Sequence, residues 1–236
     1  MTYELKAIGV IHSCFKEKFG IPRQPGLVPE AAATLELLPP YNCPEIVRGI
    51  EQFSHIWLLF VFHGSPQNRW QPLVRPPRLG GNQRIGLFAS RTTFRPNPIG
   101  MSAVKLERVE SGVDRLLLHL KGVDLLDGTP VVDIKPYIPY ADSIPNAEGG
   151  FAQNAPPCKH TVTFTDEAAT RCHELSHQYP HLRIMIEQLL QSDPRPAYKE
   201  EDKGRVYGMH LWDFDLRWRV IGNQVEVLEL VMVSSQ

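Results

Sequence analysis

Short apolar runs, parted by glycine, proline, asparagine and serine, make up the first half of the chain. Leu5 to Ile11, Thr34 to Leu38, His55 to Phe62, Arg84 to Ala89, Ser102 to Val109, Arg115 to Gly122 and Val131 to Ile134 each have the length and the β-branched or aromatic content of a strand. Strands so numerous and so closely spaced predict a barrel or a sandwich. His55 to Phe62 does not alternate in its residue types, which predicts a strand covered on both faces. Val104 to Val109 and Leu116 to Leu120 flank a polar stretch, Glu110 to Asp114, and predict a hairpin. Only Pro44 to Ile50 reads as helical in this part.

Between Ala141 and Lys159 the composition shifts to Ala, Asn, Ser, Gly and Pro, and this sets an expected boundary between a domain over 1–150 and another over 151–236. Beyond it the period changes. Thr165 can cap a helix whose apolar positions Ala168, Ala169, Cys172, Leu175 and Tyr179 fall at three-to-four spacing. Leu182, Met185, Ile186, Leu189 and Leu190 repeat that spacing after Pro180. Arg205 to Ile221 then alternates, turns at Gly222-Asn223 and returns through Val225 to Val233 as a hairpin. The fold class expected is mainly β, with a smaller α+β unit at the C-terminal end.

A formal net charge of -1 excludes a wholly basic nucleic-acid coat. Cys14, Cys43, Cys158 and Cys172 are scattered without a CxxC pair, as in a reducing compartment. The start of the chain lacks a secretory apolar core, and no apolar run reaches membrane-spanning length, so a soluble cytoplasmic protein is expected. The charge is nonetheless segregated. From Gln52 to Leu106 there is no aspartate or glutamate, while Arg69, Arg75, Arg78, Arg84, Arg91, Arg95 and Lys105 all lie there. Guanidinium forks without local carboxylates suit phosphate or carboxylate oxygens, nucleic acid first, unless distant acids neutralise them on folding. Arg75, Arg78 and Arg84 sit in or beside a Pro76-Pro77 and Gly80-Gly81 loop, from which side chains can reach a partner.

Gly80-Gly81 has no helical period after it, which disfavours dinucleotide and phosphate-loop chemistry. His173-Glu-Leu-Ser-His177 matches a zinc-hydrolase motif on an expected helix, with Glu174 to activate water. Pro180 and Arg183 stand where the extended form of that motif needs glycine and histidine. Pro22, Arg23 and Gln24 form a proline-fixed loop able to present polar groups to a small ligand. Arg95-Pro-Asn97-Pro-Ile-Gly100 is a rigid irregular segment of the kind that supports or lines a site. Asp124, Asp127 and Asp133 put three carboxylates close together in sequence, and His55 and His63 flank an apolar strand.

Taken together, Phe53 to Trp57, Arg75 to Gly81, Gly86 to Arg91, Thr93 to Gly100 and Asp124 to Tyr137 resemble the β-barrel tRNA adenine-N(6) methyltransferase family (TsaA-like). Asp193 to Tyr198 and Trp212 to Phe214 resemble the small C-terminal domain of its bacterial two-domain members. The resemblance implies an N-terminal β-barrel that binds S-adenosyl-L-methionine and transfers its methyl to N6 of threonylcarbamoyl-adenosine, next to the anticodon in the tRNA anticodon loop. It also implies a homodimer; no membrane and no metal are expected. Cofactor contacts carried over from the family fall on Pro22, Arg23, Gln24, His63, Arg91, Asp127, Gly128, Thr129 and Pro130. Arg75, Arg78, Arg84, Arg95 and Asn97 are the expected substrate contacts, and Asp127 and Asp133 the candidate bases. A non-catalytic RNA-binding barrel, or a zinc hydrolase using His173, Glu174 and His177, would be the alternatives.

Overall fold

The computed structural model describes residues 2–65, 70–158, 160–195 and 204–233; Arg69, Lys159 and Tyr198 lie outside them. The strands of the first part are β1 (Gly9–Ser13), β2 (Ala32–Leu37), β3 (His55–Val61), β4 (Leu73–Val74), β5 (Ile85–Gly86), β6 (Ile99–Ser111), β7 (Leu116–Lys121) and β8 (Pro130–Pro136). Six of them close into a barrel in the order β1-β2-β7-β6-β3-β8, each antiparallel to its neighbours, with β8 returning to β1 at Gly9 and Val131. The fold is therefore mainly β, and the open choice between barrel and sandwich falls to the barrel.

Alternation drives the closure. Leu35 and Leu37 of β2, Ile56, Leu58 and Phe60 of β3, Val104 and Leu106 of β6, and Leu116, Leu118 and Leu120 of β7 point inward and are buried. Each such side chain contributes about 1.5–3 kcal/mol of hydrophobic stabilisation. β3 corrects an expectation. After His55 its residues are apolar throughout, yet burial alternates along it, and the outward Trp57 is half-buried against Tyr137 at a ring separation of 5.8 Å. Apolar residues facing outward from a barrel thus hid the alternation. Register shifts at Leu59/Phe60 and at Leu106/Arg108 supply the local bending that closure needs.

Expected strand limits moved in places. Arg84 to Ala89 is only a two-residue strand, β5, followed by a 3-10 turn over Leu87–Ala89. The stretch near Pro44 forms two 3-10 turns, Pro44–Val47 and Ile50–Gln52, rather than one α-helix.

After a short helix α1 (Pro139–Asp142), the second part contains β9 (Thr161–Phe164), α2 (Asp166–Leu175), α3 (Leu182–Gln191), β10 (Val206–Leu211), β11 (Phe214–Ile221) and β12 (Gln224–Met232). Thr165 caps α2 as expected, its Oγ1 accepting the Ala168 N–H at 3.2 Å. The five apolar positions of α3 read from the sequence are all buried. Arg205 to Ile221 is two strands rather than one, because the chain reverses at Trp212 and Asp213, with Trp212 at a left-handed φ of 47°. Stacking of Trp212 on Tyr179 at 4.4 Å, together with the Tyr179 hydroxyl donating to Asp213 at 2.5 Å, compensates for that strain. Strand β9 was not anticipated; it lies parallel to β12 and completes a four-stranded sheet in the order β10-β11-β12-β9.

The two parts are stitched together by hydrogen bonds to backbone and to one side chain. Trp212 donates to the Cys14 carbonyl at 2.9 Å, Phe15 bridges Leu211, and the Glu30 N–H donates to Gln188 Oε1 at 3.0 Å. One buried cluster runs through both, so the sheet and helices steady the loop that follows β1.

Candidate active site at the barrel mouth

Because neighbouring barrel strands are antiparallel, Ser13, Ala32, Val61, Ile99, Lys121 and Pro130 all stand at one mouth. The three long connections open there: Cys14 to Ala31, Phe62 to Pro98, and Gly122 to Thr129. A cavity of 430 Å³ lies among them. That volume is in the range of small-molecule and cofactor sites, roughly 300–1,000 Å³.

The apolar wall comes from Phe60 and Phe62, edge to face at 5.3 Å, with Ile99 and Met101. Gly100 permits this packing, since a Cβ there would fall 2.4 Å from the Phe60 ring. The polar wall comes from the loops. Arg91 donates from Nη1 to Gln24 Oε1 at 2.5 Å, and the Gln24 amide donates to the Arg23 carbonyl at 2.5 Å, so two separate loops are locked together. Arg95 braces the segment that carries Arg91: it donates to the Ser90 carbonyl at 2.9 Å and lies 5.7 Å from the Phe88 ring centroid.

The floor is the stretch after β7. Val123 and Leu125 are buried in the barrel, and two serines at the mouth grip the residues between and beside them. Ser13 Oγ donates to the Leu125 carbonyl at 2.7 Å, and Ser102 Oγ donates to Asp124 Oδ1 at 2.6 Å. Asp124 is the one carboxylate among the described residues lining the cavity. Burial pushes its carboxyl up to about 6, against the opposing pull of the Ser102 hydrogen bond and the Arg91 charge.

Of the cofactor contacts expected from the sequence, Pro22, Arg23, Gln24, His63, Arg91 and Thr129 line this cavity. Asp127, Gly128 and Pro130 do not. Their turn lies beside it, with Gly128 at a φ of 76° and an added Cβ there only 3.8 Å from His63 Nε2. Asp127 is occupied structurally: its Oδ1 accepts the Ser13 N–H at 2.9 Å and its Oδ2 pairs with Lys16 at 2.7 Å. Asp133 lines a different hollow with Ile8, Leu37 and Tyr41, and pairs with Lys135 at 2.9 Å.

Among the expected substrate contacts, Arg95 lines the cavity, while Asn97 is exposed and its carbonyl accepts the Ile99 N–H at 2.7 Å. Arg75, Arg78 and Arg84 are exposed on the Phe62 to Pro98 connection. Arg78 donates to the Asn154 carbonyl and borders a second cavity of 370 Å³, shared with Arg23 and Arg195. Among the described residues, none of Arg75, Arg78, Arg84, Arg91 and Arg95 forms an ion pair with a carboxylate. Folding gives these five arginines no ion pair among the described residues, while Lys105 of the same stretch pairs with Glu107 at 3.5 Å. Asp124, with Ser102 beneath it, is the functional candidate that spacing did not single out.

The zinc motif does not assemble. Helix α2 ends at Leu175, before His177, and Glu174 pairs with Arg171 at 2.8 Å. His173 and His177 are exposed, and no group of three metal-ligating side chains occurs among the described residues.

The family model for the tRNA-methyltransferase O N-terminal domain matches residues 10–143, and that for the TrmO C-terminal domain matches 157–233. A protein of Escherichia coli K12 named tRNA (adenine(37)-N6)-methyltransferase is 51% identical over 230 residues, covering 97% of this chain and 98% of that protein. A Pseudomonas aeruginosa protein, provisionally named S-adenosylmethionine-dependent methyltransferase RcsF, is 51% identical over 219 residues, 92% of this chain and 93% of its own. The crystal structure of TrmO from Pseudomonas aeruginosa superposes with a TM-score of 0.82 at 44% identity, covering 98% of both chains.

Proposed function

We propose that this chain, which belongs to the tRNA-methyltransferase O family, transfers a methyl group from S-adenosyl-L-methionine to the exocyclic N6 of threonylcarbamoyl-adenosine beside a tRNA anticodon. The observation that carries the reading is the convergence of Pro22, Arg23, Gln24, His63, Arg91 and Thr129, from distant parts of the sequence, on one cavity. When bound, S-adenosylmethionine supplies a methyl already activated by its sulfonium.

The residues at the mouth fit that molecule. Arg91, Arg23 and Lys18 are the cations for its carboxylate, Gln24 and the Thr129 region offer hydrogen bonds, and Phe60, Phe62, Ile99 and Met101 form an apolar wall for a flat ring. The lock between Arg91 and Gln24 holds the two loops in register before anything binds, which lowers the entropic cost of ordering them. The Asp127 to Pro130 turn is held by bonds to β1 and the loop after it: Gly128 N–H to the Ile11 carbonyl at 2.8 Å and Asp127 N–H to the Phe15 carbonyl at 2.9 Å.

Arg75, Arg78 and Arg84 present guanidiniums without a carboxylate partner among the described residues and take the phosphates of the tRNA anticodon loop. The barrel unit over 1–150 carries the chemistry and the unit over 151–236 steadies it. The protein works as a homodimer in the cytoplasm, where its tRNA is. Trp70, Leu73, Phe88, Phe94, Ile99 and Met101 are large apolar side chains exposed on one stretch of chain around the mouth, and a second copy is the cover they favour.

The reading is tested by titrating S-adenosylhomocysteine calorimetrically and by following methyl transfer to threonylcarbamoylated tRNA. Arg91→Ala is expected to weaken S-adenosylhomocysteine by about 1.5–3 kcal/mol with the circular dichroism unchanged. A wild-type chain that neither binds S-adenosylhomocysteine nor methylates the modified tRNA would reject the function.

A further inference from the structure

We infer that Asp124 is the group that takes the proton from the substrate N6 during methyl transfer, with Ser102 positioning it. This rests on the methyl-transfer reading. Methylating N6 requires that its proton leave: the nitrogen pair forms the new C–N bond, the methyl–sulfur bond breaks with its pair remaining on sulfur, and the N6 proton passes to a carboxylate oxygen of Asp124, which later releases it to water.

The geometry narrows the acceptor. Asp124 is the one carboxylate lining the cavity among the described residues, whereas Asp127 lies outside it, engaged by the Ser13 N–H and Lys16, and Asp133 lines another hollow. Ser102 Oγ engages Oδ1 at 2.6 Å, and Oδ2 has no side-chain donor among the described residues. Val123 and Leu125, buried on either side, fix the backbone that carries the carboxylate. A carboxylate made more basic by burial, yet still ionised at neutral pH, is matched to accepting a weakly acidic N–H.

The charged groups that line the cavity with it are basic: Arg91 on the loop after β5, whose charge acts on Asp124, Lys18 and Arg23 on the loop after β1, and Arg95 beyond Arg91. His63, after β3, is the other titratable side chain on the cavity wall. On the same loop as Asp124, Asp127 has its charge met by Lys16. Histidines titrate near neutrality in general, so His63→Asn serves as the control.

The experiment is single-turnover methyl transfer against pH, with S-adenosylhomocysteine titrated into each variant by calorimetry. The wild-type rate is expected to rise through a midpoint near 6 and then level. Asp124→Asn is expected to lose the limb and about 100-fold or more in rate. Its affinity for S-adenosylhomocysteine is expected to stay within about threefold, since the charge it removes is not that ligand's partner. Ser102→Ala is expected to move the midpoint upward while the plateau rate is largely kept, a response that a merely structural serine would not give. The limb is expected to persist in His63→Asn.

An active wild type whose limb and rate survive in Asp124→Asn overturns the proposal and leaves methyl transfer standing, as does a limb that vanishes with His63. A Ser102→Ala profile identical to the wild type removes Ser102 from the mechanism and counts against Asp124, and this arm stands if Asp124→Asn does not fold. A wild type with no transfer to the modified tRNA sinks the function itself.

Discussion

Ionising Asp124 sets a charge beside the buried side chains of Val123 and Leu125, with Ser102 and the more distant Arg91 as its compensation. Its folded value, raised to about 6 from 3.8, means the folded chain holds a proton that the unfolded chain has released across that interval. Stability from this group is therefore fully present below about pH 4, is lost as pH rises to about 6, and stays lost above. Asp124→Asn removes the titration while keeping an oxygen for the Ser102 hydroxyl. Its stability relative to the wild type is expected to grow from near zero at about pH 4 to on the order of 2–3 kcal/mol at about pH 7, by urea unfolding. A variant less stable than the wild type near neutrality would mean the carboxylate is a structural asset rather than a tolerated strain. The sequence names Asp124 beside Asp127 and Asp133, but not which of them meets the cavity. That follows from whether a serine on β6 or the β1 backbone reaches the carboxylate, and both are tertiary facts.

At the scale of elements, the loop between β3 and β6 holds the arginines of the acid-free stretch, and those described remain without ion-pair partners among the described residues after folding. This much was legible, because a run without carboxylates cannot pair locally, and among the described residues no distant acid forms an ion pair with its arginines. Arg75→Ala, Arg78→Ala and Arg84→Ala are each expected to lower the slope of log tRNA affinity against log salt by roughly 0.7–0.9 if they hold a phosphate, with S-adenosylhomocysteine binding unchanged. Slopes equal to wild type in all three would make the stretch structural and move tRNA toward the second cavity near Arg195. Helix α2 and its Thr165 cap were equally readable, since their signals are local. Strand β9 was not: four residues, Thr161–Phe164, carry too little pattern, and only pairing with the far-off β12 makes them a strand. The reversal at Trp212 was hidden for a similar reason. Its left-handed backbone is held by Tyr179 from the helical segment and not by a glycine the eye would find.

For the whole molecule, what matters is what covers the mouth. The barrel is sealed internally and joined to the C-terminal sheet by backbone bonds, yet Phe88 is 80% exposed and Met101 56% exposed beside the cavity. Side chains of this size at an active-site rim favour burial against a partner, and each contributes about 1.5–3 kcal/mol when fully covered. Strand number and spacing predict a barrel or a sandwich, with the pairing of β8 to β1 deciding for closure; this rim could not be anticipated, because an isolated apolar residue in a proline-rich loop reads the same whether it packs inward or waits for a second chain. If the second chain is another copy, Phe88→Asp with Met101→Asp is expected to convert a dimer to a monomer in light scattering at micromolar concentration, with circular dichroism unchanged. Methyl transfer would fall with it, since Met101 sits in the cavity wall and its cover excludes water from the reacting groups. Phe88→Asp alone, read with S-adenosylhomocysteine affinity, separates the two effects, because Phe88 does not line the cavity but packs against Arg95: lost dimer and lost activity with that affinity kept would mean the mouth is completed by the partner. A double variant that remains dimeric would place the interface elsewhere and leave this rim for the tRNA.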